Sequence, residues 1–149
     1  MKGFIRKTLT GWVPADEKAQ HIHKRETLGQ TYRADIVQPR NYRHHCMFMA
    51  LMELTFENQS VYTDDWAFRS AVALEAGHVK QFVTLDGEMH LVPMRYSYDD
   101  IPDEADFGKA FGAAMTVCAR ILRMNNLDEL EAEVSRYADQ HYGSARRVA

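Results

Sequence analysis

The stretch from residue 39 to residue 57, PRNYRHHCMFMALMELTFE, constrains the fold more than any other part of the chain. It predicts a helix with apolar side chains on nearly every side. These belong to Cys46, Met47, Phe48, Met49, Ala50, Leu51, Met52, Leu54 and Phe56. A helix that is hydrophobic all round is normally buried all round, so we expect it to be the central core element. Its first turn, with Arg40, Arg43, His44 and His45, is expected to present cationic and titratable groups to solvent.

The chain is long enough for one domain with a hydrophobic core. It has 149 residues, of which 46% are hydrophobic, and this is ordinary for a globular domain. No apolar run reaches the roughly 20 residues that a membrane span requires, and the charged residues 1–12 do not resemble a signal peptide. Cys46 and Cys118 fall in apolar helical patterns, which favours two buried free thiols. We therefore predict a soluble cytoplasmic protein.

Turn residues and apolar periodicity predict a single α+β domain over residues 1–143, followed by a flexible basic tail over residues 144–149. The expected strands cover residues 4–9 and 12–13 as one hairpin, 31–37 as a further strand, and 79–85 and 89–98 as a second hairpin. Asp86-Gly87 is the strongest hairpin signal in the chain, and Pro93 indicates an edge strand or a bulge.

Capping residues and 3.6-residue periodicity predict the helices around this small sheet. They are residues 15–26, the central helix, a helix from Thr63 or Asp64 to Gly77, one that begins at Asp103, and one from Asp128 to Tyr142 that Gly143 ends. The expected architecture is short antiparallel hairpins packed on the buried central helix and its helical neighbours.

Charge is distributed unevenly along the chain. Residues 1–50 hold nine Lys and Arg against four Asp and Glu, whereas residues 51–149 hold nine against seventeen. Such asymmetry indicates either a surface for a polyanion, two solvated faces of one domain, or complementary faces of an oligomer.

Catalytic motifs are weak or absent. A zinc site from His21, His23, His44 and Cys46 lacks any paired H-E-x-x-H or C-x-x-C spacing, so a structural role for these side chains is favoured. The buried pattern around both cysteines argues against a nucleophile, and there is no phosphate-binding glycine loop or nucleophile elbow. We predict no catalytic residue, no metal and no cofactor.

An acidic run precedes the helix that begins at Asp103. Its members are Asp99, Asp100, Asp103, Glu104 and Asp106. Clustered carboxylates at such a junction suit a magnesium-dependent nuclease. A helix N-terminus also favours negative charge and capping residues, and Asp103 with Asp106 three residues later forms a weak capping box. Structural capping is the favoured interpretation.

Basic and aromatic residues cluster in the first third of the sequence. They are Lys2, Arg6, Lys7, Trp12, Lys24, Arg25, Tyr32, Arg33, Arg40, Tyr42, Arg43 and His44. Arginine and lysine neutralise phosphates, and flat side chains stack on unpaired bases. If the first hairpin and the strand near Tyr32 share a sheet, several of these side chains line one groove.

The segment from Arg40 to Leu51, followed by Phe56-Glu57, resembles a phage and prophage family known as domain of unknown function 1367. The pattern in that family pairs an R-N element with a helix of the form H-x-x-F-F-A-L-L and then F-E. Here His45, Phe48, Ala50 and Leu51 occupy those places. Looser likenesses at residues 11–14, 76–77 and 97–107 extend the resemblance over most of the chain. It implies an accessory protein in a bacterial host cell, without an established activity.

The central helix is also distantly similar to the lambda-type Orf (NinB) recombination mediators, which bind single-stranded DNA and help to load a recombinase. Cys46 and Met47 stand where many relatives carry a basic pair. The resemblance implies a non-enzymatic protein that binds single-stranded nucleic acid in recombination or replication. The expected contacts are Arg40, Arg43, His44, Arg33, Arg6 and Lys7.

Two other functional classes remain open at this point. A protein-binding inhibitor of a host defence or replication factor would present an acidic face that mimics DNA, with Asp99, Asp100, Asp103 and Glu104 as the partner-binding residues. A metal-dependent nuclease on the same carboxylates is a third, weaker hypothesis. Small phage accessory proteins with exposed aromatic residues often form homodimers, which is a further expectation.

Overall fold

Five helices and two small antiparallel hairpins make up the computed structural model, which describes residues 2–36, 41–97 and 100–146. The strands are β1 (Ile5–Thr8), β2 (Gly11–Pro14), β3 (Val79–Val83) and β4 (Met89–Pro93). The helices are α1 (Glu17–Arg25), α2 (Tyr42–Glu57), α3 (Asp65–Glu75), α4 (Glu104–Ile121) and α5 (Leu127–Arg146). β1 pairs with β2 and β3 pairs with β4. The predicted single α+β domain is confirmed.

The core lies where α2, α4 and α5 meet. Ala50, Leu51 and Met52 on α2 have no exposed surface, and neither have Leu130 and Val134 on α5. Met47, Met49, Leu54 and Phe56, on the other sides of α2, are half-buried against the same cluster. The prediction that α2 is the central, almost completely covered helix is confirmed.

Side-chain caps begin four of the helices, as their sequences indicate. Asp16, Asn41, Asp64 and Asp103 each have an extended backbone and accept a hydrogen bond from a backbone N–H of the first helical turn. Such a cap satisfies donors that the helix itself leaves without a partner. The expected starts of α3 and α4 at Asp64 and Asp103 are therefore confirmed.

Polar contacts hold together the N-terminal unit, which we define as β1, β2 and α1, and join it to the core. The Asp16 carboxylate is fully buried and accepts hydrogen bonds from the backbone N–H groups of Phe4, at 3.1 Å, and Ala19, at 2.8 Å. Glu53 on α2 accepts hydrogen bonds from Lys18 and from the Tyr142 hydroxyl. One carboxylate thus joins α1, α2 and α5.

The second hairpin turns at the predicted position. Gly87 has φ 90°, a left-handed conformation that glycine adopts without steric cost. β3 and β4 pair from Val79 opposite Pro93 to Val83 opposite Met89. Pro93 is the last residue of β4 in a two-stranded sheet, consistent with the expected edge strand.

Three sequence-based predictions of secondary structure are wrong. The strand expected over residues 89–98 ends at Pro93, and residues 94–97 are not part of it. Residues 31–36 form no strand, because they are exposed and no strand among the described residues pairs with them. The Tyr32 hydroxyl instead accepts a hydrogen bond from the Thr27 backbone N–H, at 2.8 Å. Val37 lies outside the described residues. α5 does not end at Gly143 but continues to Arg146; a glycine weakens a helix without necessarily ending it. The predicted flexibility of the last residues stays a prediction.

Candidate nucleic-acid interface

Arg43, one of the expected phosphate contacts, fastens α2 to α5. Its guanidinium donates one hydrogen bond to Asp139 Oδ1, at 3.0 Å, and another to Ser135 Oγ, at 2.9 Å. Two directed bonds hold the planar group in one orientation and neutralise its charge locally. Arg43 therefore has a structural role in the packing of α2 against α5.

His44 is held on the other side of the α2 N-terminus, by α4. Its Nδ1 lies 2.8 Å from Glu104 Oε1, and its ring packs edge-on against Phe107 and Phe111, with centroids 4.9 and 5.0 Å away. The sequence placed His44 and Glu104 in two different candidate surfaces, one basic and one acidic. The fold pairs them instead. Arg40 lies outside the described residues.

The acidic segment is likewise engaged within the chain. Asp103 Oδ1 accepts hydrogen bonds from the backbone N–H groups of Ala105 and Asp106, which caps α4. Asp100 lies 3.9 Å from Lys80 Nζ and 3.4 Å from Arg95 Nε. Asp99 lies outside the described residues. The capping interpretation is confirmed for Asp103.

The N-terminal hairpin presents a different pairing of cation and aromatic ring. Lys7 on β1 lies directly opposite Trp12 on β2, and its Nζ sits 5.1 Å from the centre of the indole ring. Trp12 is 49% exposed although a tryptophan is usually buried. A lysine over an exposed indole is a cation–π contact, which keeps both groups at the surface.

Most cations of the N-terminal unit and its neighbouring loops lack a carboxylate partner. Arg33 pairs loosely with Asp35, at 3.7 Å, and Lys18 pairs with Glu53. Five others in residues 2–36 have no carboxylate oxygen of the described residues within 4.0 Å. They are Lys2, Arg6, Lys7, Lys24 and Arg25. Of the expected contacts, Lys7 is exposed and Arg6 is half-buried on the opposite face of β1, and neither has a carboxylate partner among the described residues.

A shallow cleft of about 210 Å³ lies between the hairpin and α1, beside Trp12. Ile5 and Ile22 line it with apolar surface, and His23 and Glu26 line it with polar groups. Sequence reasoning grouped Trp12 with the basic residues but did not anticipate this cleft. Only the docking of α1 against β2 creates it.

The two cysteines have the properties of buried core side chains. Burial raises the pKa of the Cys46 and Cys118 thiols to about 11, so neither is an activated nucleophile. In the ranges 2–36, 41–97 and 100–146, no three His, Cys, Asp or Glu side chains come together as a metal site. In the same ranges no helix has the length and apolarity needed to cross a bilayer.

Comparisons with protein families, curated proteins and solved structures give no match. The resemblance to domain of unknown function 1367 and to the NinB mediators thus stays a sequence-based hypothesis.

Proposed function

We propose that the protein is a non-enzymatic, single-stranded nucleic-acid-binding protein that makes its contacts through the N-terminal unit. The observation that carries this proposal is the exposed Trp12 ring beneath Lys7, on a unit in which Lys18 alone of the lysines and arginines has a carboxylate partner among the described residues. A role in phage recombination or replication is the biological setting that the sequence resemblance suggests.

Electrostatic attraction to phosphates and stacking on an aromatic ring would both contribute to the binding free energy at this surface. Lysine and arginine release condensed counterions when they bind phosphates, which gives affinity without sequence preference. A base that stacks on an exposed aromatic ring adds about 1–3 kcal/mol, and stacking needs an unpaired base. Lys7 and Trp12 occupy opposite positions in one antiparallel pair, so one nucleotide can engage both.

This proposal moves the contact surface away from the start of α2. Arg43 and His44 are bound to Asp139 and Glu104, and freeing them for phosphate would break contacts between α2 and its neighbours. Lys7 remains from the sequence-based set and Trp12 becomes the stacking residue, while Arg6, on the opposite face of β1, adds positive charge without touching the same nucleotide.

The test is binding of a fluorescently labelled oligo(dT) strand, measured by anisotropy at about 50 and 200 mM salt. Trp12→Ala is expected to weaken binding roughly 5- to 150-fold, the loss that corresponds to one stacked base. The matched control is Trp66→Ala, because Trp66 lies at the start of α3 and is 74% exposed. Its removal should leave the affinity unchanged.

A lysine pair tests the electrostatic part separately. Lys7→Gln is expected to weaken binding and to make the salt dependence shallower by about 0.7 in the log–log slope. Lys80→Gln is the control, since Lys80 lies on the other hairpin. The proposal is refuted if wild type does not bind at low salt, if binding is indifferent to salt, or if both tryptophan variants behave alike.

The inhibitor hypothesis has less support from the geometry. It requires free carboxylates at the segment before α4, whereas Asp100, Asp103 and Glu104 make contacts within the chain. A stoichiometric protein captured from host lysate after nuclease treatment, together with no binding to oligo(dT), would favour that hypothesis over ours.

A further inference from the structure

The β3–β4 hairpin exposes apolar side chains that the other described residues do not cover. Every residue from 80 to 92 except Thr84 is exposed. Leu85 at the turn is fully exposed, and Val83, Met89 and Leu91 expose 62%, 63% and 57% of their surface. An antiparallel sheet normally packs one face on a core, and an isolated two-stranded hairpin is only marginally stable in water.

The strand register separates the two faces of this hairpin. Residues opposite each other project to the same side, so Val79 with Pro93, Gln81 with Leu91, and Val83 with Met89 form one face. We call it the hairpin face. It is apolar apart from Gln81 and contains no ionisable group.

The opposite side of the hairpin mixes charged side chains with two exposed apolar ones, Phe82 at 55% and Val92 at 42%. It carries Lys80 opposite Val92 and Phe82 opposite His90. Lys80 lies near Asp100, and His90 Nε2 lies 3.4 Å from Glu88. A partner that packs on the hairpin face would therefore leave every charge of the hairpin in solvent and would bury none without a partner.

We propose that the hairpin face, together with Leu85 at the adjoining turn, is a homodimer interface, in which it packs against the same surface of a second copy around a two-fold axis. A two-fold contact uses one patch on both subunits, so the patch must be self-complementary. An uncharged face with a central Val83–Met89 pair meets this condition, because two copies bring no like charges together.

The exposed area matches what a dimer requires. At roughly 150–200 Å² for a fully exposed large side chain, Gln81, Val83, Leu85, Met89 and Leu91 together offer about 600 Å² per copy. A pair of copies would then bury about 1,200 Å², at the lower end of stable interfaces. The apolar part alone is about 500 Å², in the range of the largest patch on a typical monomer, which is often functional.

This proposal is independent of nucleic-acid binding, because the N-terminal unit and the β3–β4 hairpin are different elements. It commits to a second copy of the chain rather than to an unrelated protein. Two observations favour a second copy as the partner: the hairpin face is uncharged and self-complementary, and its exposed area is large enough for a dimer interface.

The test is the mass of the full chain in solution, by sedimentation equilibrium over a range of concentrations. Wild type is expected at twice the monomer mass of 17.2 kDa. Val83→Lys and, separately, Leu85→Lys are expected to raise the dimer dissociation constant at least about tenfold. Because Leu85 is fully exposed, replacing it should not destabilise the fold through lost burial.

The matched control is Leu28→Lys, which removes an equally exposed leucine from the loop after α1. It should remain dimeric, and circular dichroism should show all variants folded. A wild type that stays monomeric overturns the proposal, as does a dimer that survives both hairpin substitutions. An equal effect of Leu28→Lys and Leu85→Lys also overturns it.

Discussion

Asp16 is the residue whose removal should most weaken the link between α1 and the segment that leads into β1. Its Oδ1 accepts two backbone N–H groups, and no part of the residue is exposed. Asp16→Ala removes the cap of α1, worth about 1 kcal/mol. It also leaves the Phe4 N–H without this partner, which costs about 1–3 kcal/mol in a partly buried position. We therefore expect the free energy of unfolding to fall by about 2–4 kcal/mol.

The assay is urea unfolding followed by circular dichroism, with Asp64→Ala as the matched control. Asp64 caps α3 through a single hydrogen bond, from the Ala67 backbone N–H at 2.8 Å, and is exposed. Its removal should cost about 1 kcal/mol. The difference between the variants isolates the link from the cap to β1. Equal losses would refute the reasoning, because they would show that the Phe4 contact contributes nothing.

Two further predictions concern the core and the start of α2. Burial raises the pKa of the Cys46 and Cys118 thiols from 9.0 to about 11. Between these two pH values the folded state keeps both protons while the unfolded chain loses them, so the free energy of unfolding should fall as the pH rises from 9.0 to about 11. Urea unfolding at about pH 8 and pH 10 checks this. Replacing both cysteines by Ala should make the fall in the free energy of unfolding between these pH values smaller. An unchanged fall would contradict the prediction. Arg43→Ala should cost about 1 kcal/mol of stability and leave the affinity for oligo(dT) unchanged, whereas a large loss of binding with intact folding would return Arg43 to the interface.

The residues expected to bind nucleic acid divide according to where their partners lie in the sequence. Lys7 is exposed beside Trp12, whereas its neighbour Arg6 projects to the opposite face of β1 and is half-buried, as the alternation of side chains along a strand requires. Arg43 meets Asp139 at a separation of 96 residues, and His44 meets Glu104 at 60. No local pattern predicts such pairs, so the sequence suggested a cationic tip where the fold makes internal contacts.

Local chemistry in the sequence determined much of the secondary structure. Asp64 and Asp103 indicate helix starts because their side chains satisfy N–H groups within three residues. Asp86-Gly87 indicates the second hairpin because glycine adopts a positive φ without steric cost. The all-round apolar pattern of α2 identifies the core helix because such a surface must be covered.

Tertiary structure alone decided which predicted strands form and which surfaces remain free. Residues 31–36 have strand-like alternation but no pairing neighbour, and a strand is stabilised by cross-strand contacts that its own sequence does not contain. The same dependence on distant partners leaves Trp12 at the surface and the β3–β4 hairpin uncovered. Composition and periodicity specify the elements, whereas burial and charge pairing depend on which elements the fold brings together.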